Sequence, residues 1–154
     1  MIRLLCVIAG PYAADTPALV QANTDRAARL GRLAVRHGYA PIIPHVHGHA
    51  GIYGSAADNG SATDPVRQAA LECGIRHVQL VAEMGGELWV LLKPDGTMSS
   101  GTRAERDAFV LIATGKKVRY FREAFIEEPR GVVRAGLDEA EVEVADPLVS
   151  KDHP

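Results

Sequence analysis

The sequence has few cysteines and no long apolar run. Among its 154 residues only Cys6 and Cys73 are cysteines, too few for a disulfide framework. Both are expected to be reduced thiols, as is usual in the cytoplasm. No stretch approaches the ~20 consecutive apolar residues that a membrane-spanning helix needs. These absences predict a cytoplasmic protein that has no membrane partner.

An excess of positive charge is also absent, because 17 lysines and arginines face 19 aspartates and glutamates, for a net charge of -2. Proteins that bind a nucleic-acid polymer or an acidic membrane favour a basic surface. The charge therefore argues against both partners but leaves a small charged ligand open. Neither a Gly-x-Gly-x-x-Gly fingerprint nor a Walker sequence occurs, and we predict no cofactor.

Short apolar segments alternate with helical patterns along the chain. Strands are predicted at residues 4–9, 40–44, 87–92 and 117–121, and helices at 16–37, 64–84 and 102–114. Residues 141–144, within an acidic tail at 122–154, are a candidate for one more strand. This alternation predicts right-handed βαβ units in a single α/β domain spanning 1–154, with a parallel sheet covered on both faces.

Three polar features follow predicted strands: Gly10-Pro11-Tyr12, Pro44-His45, and the loop at 93–101. In parallel sheets, ligands bind outside the carboxyl ends of the strands. We therefore expect these features to meet at one edge of the sheet. Residues 45–64 are predicted to form a long loop, and Gly74 is predicted to interrupt the helix that follows.

The segment Ser99-Ser100-Gly101-Thr102 precedes a predicted helix and allows two interpretations. Ser99, Ser100 or Thr102 can cap the helix, and Glu105 then fits the third position of a capping box. Alternatively, the free N–H groups and small hydroxyl side chains form an anion site in front of a reactive carboxylate. From this segment alone both interpretations stay open.

The histidines His45, His47 and His49 suggest a metal site, because alternate residues of an extended segment share a face. Zinc and iron sites need further ligands, and no partner for these histidines is evident in the sequence. We therefore predict no metal, and expect His45 to have a structural or substrate-contacting role.

Taken together, these motifs resemble the nucleoside 2-deoxyribosyltransferase family and its relatives, the nucleoside 5'-monophosphate N-hydrolases. The resemblance covers about residues 2–121. Its ordered elements are IAGPY at 8–12, Asn23 and Ala27, Gly38-Tyr39, Pro44-His45, SSGTRAE at 99–105, Ala108, Gly115-Lys116 and Val118.

The resemblance implies a flavodoxin-like, Rossmann-like three-layer sandwich with a mostly parallel five-stranded sheet. It also implies cleavage or transfer at an N-glycosidic bond, in which Glu105 is the nucleophile and Tyr12 orients it by a hydrogen bond. Gly10, Pro11, His45, Ser99, Ser100, Gly101 and Thr102 are the expected substrate-binding residues. Relatives complete their sites across subunits, so a homodimer or higher homo-oligomer is expected.

Two positions bear on which reaction is implied. Six residues before Glu105, transferases that act on free nucleosides usually have an aspartate, whereas the monophosphate hydrolases have a serine, as here at Ser99. This favours a nucleoside 5'-monophosphate. The aspartate that assists proton transfer in the family corresponds to Gln79, which cannot ionise, and Glu83 is a possible substitute. Gln79 motivates the alternative of a non-catalytic nucleotide or nucleotide-sugar sensor.

Overall fold

The computed structural model of the protein describes residues 3–12, 14–48, 65–113 and 117–122. In chain order the elements within these ranges are β1 (Leu4–Ala9), α1 (Pro17–Arg36), β2 (Tyr39–Ile42), α2 (Pro44–Gly48), α3 (Pro65–Glu83), β3 (Glu87–Leu91), α4 (Ser100–Val110) and β4 (Val118–Phe121). None of the helices in these ranges is both long enough and apolar enough to cross a membrane.

The strands of the described ranges form one parallel sheet in the order β2-β1-β3-β4. The chain moves from β1 outward to β2, then returns to the other side of β1 to form β3. The loops that follow β1 and β3 therefore diverge at the carboxyl edge, which is where such sheets have a ligand-binding crevice. The predicted α/β class and parallel sheet are confirmed, and the candidate strand at 141–144 lies outside the described residues.

Helices cover both faces of the sheet because successive residues of a strand point to opposite sides. Cys6 and Ile8 face α1, in a cluster completed by Ala27, Leu30, Ala34, Tyr39, Trp89, Leu91 and Phe121. Val7 and Ala9 face α3 and α4, in a second cluster completed by Val78, Val81, Ala82, Leu88, Val90, Leu92, Met98, Phe109 and Val118. The sheet is thus buried on each side, as parallel sheets require.

The limits of α1 agree with those predicted from the sequence. Thr16 is the N-cap, and its side-chain oxygen accepts a hydrogen bond from the N–H of Leu19. Pro17 follows as the first helical residue, where its missing N–H has no consequence. Gly38 has a φ of 86° immediately after the helix, a conformation that glycine adopts without strain.

Two predictions about the middle of the chain are wrong. Gly74 does not interrupt α3, which is continuous from Pro65 to Glu83, since glycine lowers helix stability without breaking the hydrogen-bond ladder. Residues 45–48 are not loop, because Pro44 opens a short helix in which the N–H groups of Val46 and His47 both bond to the carbonyl of Ile43. The remainder of the predicted loop, 49–64, lies outside the described residues.

A polar cluster around Glu87 joins three strands. The Glu87 carboxylate accepts hydrogen bonds from Trp89 Nε1 at 2.9 Å and from the Tyr39 hydroxyl at 3.2 Å. It also forms an ion pair with Arg119 Nε at 3.1 Å. Burial, and secondarily the Glu87 charge, raise the pKa of the Cys6 thiol to about 12, so this buried cysteine stays protonated.

Replacing Glu87 with alanine is expected to destabilise the fold by about 2–4 kcal/mol, because it removes a largely buried carboxylate that accepts hydrogen bonds from Trp89 and Tyr39 and pairs with Arg119. Urea unfolding monitored by circular dichroism measures this effect. Glu83→Ala is the control: Glu83 pairs with Arg76 at 3.9 Å on the surface, where both side chains are at least half exposed. Such a surface pair contributes about 0–1 kcal/mol to stability. If both variants lost the same amount of stability, Glu87 would not have the stabilising role described here.

Candidate functional site

Ser99 is the residue that caps α4. Its Oγ accepts a hydrogen bond from the N–H of Thr102 at 3.2 Å, and it lies 2.7 Å from the Thr102 hydroxyl. The third helical position is therefore Thr102, and Glu105 lies three residues further into the helix. The capping-box interpretation of Glu105 is wrong, because the carboxylate is too far inside the helix to reach the capping residue's N–H.

The first turn of α4 presents backbone donors toward the carboxyl edge of the sheet. Ser99 satisfies the N–H of Thr102, and the Ser99 carbonyl accepts from Arg103. Among the backbone hydrogen bonds of the described ranges, none uses the N–H of Ser100 or Gly101. These two groups, at the positive end of the helix dipole, are suited to bind an anion.

The Glu105 carboxylate lies where α3 and α4 meet. A Cβ atom built on Gly74 of α3 would be 2.8 Å from Glu105 Oε1 and 4.0 Å from the Cβ of Pro44. The start of α2 therefore lies close to the junction of α3 and α4 that holds this carboxylate. Glu105 as a residue is partly rather than fully buried.

Burial raises the pKa of Glu105 from its ordinary 4.5 to about 7. Desolvation acts in this direction because removing water disfavours the charged form. Among the described residues, no charged neighbour contributes to this shift. A buried carboxyl group whose pKa is raised to near neutral is typical of functional sites.

The loop after β1 is held by α1 and by the end of β3. The buried Asn23 side chain donates a hydrogen bond to the Tyr12 carbonyl at 3.1 Å and accepts one from Arg26 at 2.8 Å. A Cβ atom on Gly10 would be 3.0 Å from the Cβ of Leu91, a tight contact that glycine avoids.

The tyrosine and histidine predicted for the site lie together. The ring of Tyr12 packs against that of His45, with 5.7 Å between centroids and an angle of 44° between planes. His45 follows Pro44, whose Cβ would lie 4.0 Å from a Cβ atom on Gly74. The loop after β1 is thereby connected through α2 to the part of α3 that faces Glu105. A direct hydrogen bond between Tyr12 and Glu105 stays a prediction.

The prediction that the histidines lie on one face of an extended segment, where they could bind a metal together, is wrong for His45 and His47. Both belong to α2, and residues two apart in a helix point in different directions. His49 lies outside the described residues. Within the ranges that the structure describes, no group of three histidine, cysteine, aspartate or glutamate residues is arranged to hold a metal ion.

Glu83, the possible substitute for the expected proton donor, lies at the end of α3 and away from Gly74. It lies nine residues beyond Gly74, or about 13 Å further along α3, and its carboxylate pairs with Arg76 instead. Gln79 is about 7 Å beyond Gly74 by the same rise per residue. Sequence spacing had suggested Glu83 because it lies one turn from Gln79, but both are displaced along the helix from the Glu105 carboxylate.

One residue of this site is not predicted from the sequence. Gly74 lies against the Glu105 carboxylate, whereas the sequence pattern predicts only that it interrupts a helix. A glycine inside an otherwise helical pattern can indicate a close approach, which is the signal that was available.

The chain belongs to a family described as a domain of unknown function (DUF7768), whose model matches residues 4–121. The match covers the described sheet and the helices that pack on it. No curated protein and no solved structure matches the chain.

Replacing Glu105 with glutamine is expected to stabilise the protein in a pH-dependent manner. The folded-state pKa of about 7 lies above the ordinary 4.5, so the unfolded chain ionises first as pH rises. Wild-type stability therefore falls between pH 4.5 and 7, by roughly 3 kcal/mol in total. The glutamine in Glu105→Gln cannot ionise. The free energy of unfolding of this variant should therefore exceed that of the wild type by up to that amount at pH 8 and equal it near pH 4.

Urea unfolding at the two pH values measures the difference. The matched control is Glu72→Gln, which changes an exposed side chain on α3 and should leave the free energy of unfolding within about 0.5 kcal/mol of the wild-type value. A constant difference between Glu105→Gln and wild type across this range would show that the Glu105 carboxyl is not desolvated.

Proposed function

We propose that this protein cleaves or transfers at the N-glycosidic bond of a nucleoside 5'-monophosphate, or of a nucleoside, with Glu105 as the nucleophile. The observation that carries the proposal is the largely desolvated Glu105 carboxylate, five residues after the start of α4 and at the junction with α2 and α3. A carboxylate with few competing partners is available to form a bond to carbon.

The proposal includes the fold that the sequence resemblance implies. The strand order β2-β1-β3-β4 agrees with the first four strands of the flavodoxin-like order, in which a fifth strand follows at the edge. We propose that the whole chain completes such a five-stranded sheet. The resemblance to nucleoside 2-deoxyribosyltransferases rests on motifs at Gly10-Pro11-Tyr12 and at 99–105, which flank the crevice between β1 and β3.

In the proposed reaction, a Glu105 carboxylate oxygen attacks the anomeric carbon of the sugar. The bond from that carbon to the base nitrogen breaks, and its electron pair leaves with the base, which takes up a proton. The product is a glycosyl ester of Glu105, as in retaining glycosidases. Water then hydrolyses the ester, or a second base attacks it, to give hydrolysis or transfer respectively.

The start of α4 is proposed to bind the 5'-phosphate. The N–H groups of Ser100 and Gly101 point out of the helix end, and the small side chains allow a phosphate to approach. Ser99 Oγ accepts a hydrogen bond from Thr102, and a hydroxyl has two acceptor sites and one donor. When the Thr102 hydroxyl donates to Ser99, the Ser99 proton is available to a phosphate oxygen.

The loop after β1 is proposed to hold the sugar against Glu105. Gly10 and Pro11 lead to Tyr12, whose main chain is fixed by Asn23 and whose ring packs on His45. From this position the tyrosine hydroxyl is proposed to orient the carboxylate, and His45 to contact the substrate. We further propose that the protein acts in the cytoplasm as a homodimer or higher homo-oligomer.

The second candidate is a nucleotide or nucleotide-sugar sensor without turnover. It is favoured by Gln79, which stands where the resemblance expects a proton donor, and by the surface position of Glu83. General acid assistance contributes about 10²–10⁴-fold to rate, so a site without it can bind a ligand and turn it over very slowly.

Purified protein incubated with a panel of nucleoside 5'-monophosphates and nucleosides is expected to release free base, measured by chromatography. Glu105→Ala should lower the rate by roughly 10³-fold or more, as loss of a nucleophile does. Glu72→Ala, which removes an exposed carboxylate from α3, is the matched control and should keep wild-type activity. Full activity in Glu105→Ala would exclude Glu105 as the nucleophile.

The rate of base release is expected to rise with pH and to level off above the pKa of Glu105. The carboxylate must be ionised to attack, and burial raises its pKa to about 7. A profile of kcat/KM from pH 5 to 9 should therefore show an acid limb near pH 7. A midpoint near 4.5 would mean that Glu105 is solvated in the active enzyme or that another group is titrating.

The sensor is distinguished by thermal shift measurements with the same nucleotides. A ligand that binds only the folded state raises the melting temperature, by an amount that corresponds to about 2.7 kcal/mol at a hundredfold excess over Kd. Stabilisation without any release of base would favour the sensor. Stabilisation with release that depends on Glu105 would favour the enzyme.

A further inference from the structure

A close contact between two helices determines where the Glu105 carboxylate can lie. A Cβ atom at Gly74 would be only 2.8 Å from Glu105 Oε1, closer than a carbon and an oxygen atom can pack. The other atoms near that position are Glu105 Cδ at 3.9 Å and Pro44 Cβ at 4.0 Å. The space beside Gly74 is therefore occupied by the carboxylate.

Backbone conformation does not explain a glycine at this position. Within the described ranges, positive φ angles occur at Gly38, Gly85 and Gly96, so Gly74 has a φ that any residue adopts. Alanine is the better helix former, and glycine in the middle of α3 lowers helix stability. Gly101 lies on the facing side of α4, and a Cβ there would make an ordinary contact of 3.7 Å with Leu71.

We infer that Gly74 is a positioning residue, which by having no side chain keeps open the space between α3 and α4 in which the Glu105 carboxylate lies. As a statement about catalysis, the inference rests on the proposed function. As a statement about the position of Glu105, it is independent of the reaction.

The groups around this space bear on the protonation of Glu105. The titratable residues within three positions of Gly74 on α3 are Glu72, Cys73, Arg76 and His77, and His45 is the first titratable residue of α2. On α4 the neighbouring Arg106 is engaged with Asp107. None of them contributes to the raised pKa of Glu105, which has burial as its cause. Displacing the carboxylate toward solvent should therefore return its pKa toward 4.5.

The test is Gly74→Ala, measured for three properties. The side chain of Glu105 is flexible, so it is expected to move aside while the fold persists, and alanine should leave the melting temperature unchanged or raise it by about 2–4 °C. The pKa of the Glu105 carboxyl, followed by carbon-13 NMR, should fall by about two units. Base release should fall by roughly 10²-fold, since a displacement of about 1 Å has that effect on a reacting group.

Cys73→Ala is the matched control, because it places an alanine at the neighbouring, exposed position of the same helix and should change none of the three properties. A Gly74→Ala protein with the wild-type pKa at Glu105 overturns the inference. If the wild type releases no base, the proposed function fails, but the NMR titration still decides the role of Gly74.

A double variant covers the case in which Gly74→Ala does not fold. Combining it with Glu105→Ala removes the group that a Cβ at position 74 would meet, so Gly74→Ala/Glu105→Ala should fold as well as Glu105→Ala alone. Failure of the double variant to fold would mean that the contact with Glu105 is not the reason for glycine, and would also overturn the inference.

Discussion

Burial of the two central strands on both faces is the constraint on which the rest of the molecule depends. Side chains of β1 and β3 point alternately into two hydrophobic clusters, so neither face of the sheet can be left to solvent. Helices must therefore pack on both sides, and their connections must cross over between parallel strands. The loops that follow β1 and β3 consequently leave the sheet at the same edge and diverge there.

Close packing on one face then produces the unusual chemistry of Glu105. Since α3 and α4 both cover the same side of the sheet, they lie against each other, and α2 lies at the same junction. A carboxylate at this junction is removed from water, which raises its pKa, and no cation among the described residues offsets the shift. The reactivity that we propose is thus a consequence of helix packing rather than of a dedicated charged partner.

Local patterns in the sequence predicted the elements well. Thr16 and Gly38 delimit α1 because capping and positive φ are local requirements, and the apolar runs at 4–9 and 87–92 correspond to buried strands. The same patterns failed for α2, since five residues rich in histidine carry no helical periodicity. They also left three candidate caps for α4, and the hydrogen bonds of Ser99 were needed to choose among them.

Contacts between distant segments could not be predicted. The meeting of Gly74 with Glu105 joins residues 31 positions apart, and it depends on how two helices pack rather than on either helix alone. Similarly, the surface position of Glu83 follows from its place at the end of α3, beside Arg76. The motif at 99–105 identified the carboxylate, but the environment of that carboxylate is a property of the tertiary structure.

The desolvation of Glu105 favours any bond that removes its negative charge. A proton does so, and so does a carbon electrophile, because an ester is as neutral as a carboxylic acid. The free energy lost when this group ionises in the folded protein is therefore recovered when it becomes esterified. For a sugar attached at Glu105, the surroundings would favour the covalent state over the free carboxylate. The slower step of such a reaction would then be release of the sugar from Glu105 rather than its attachment.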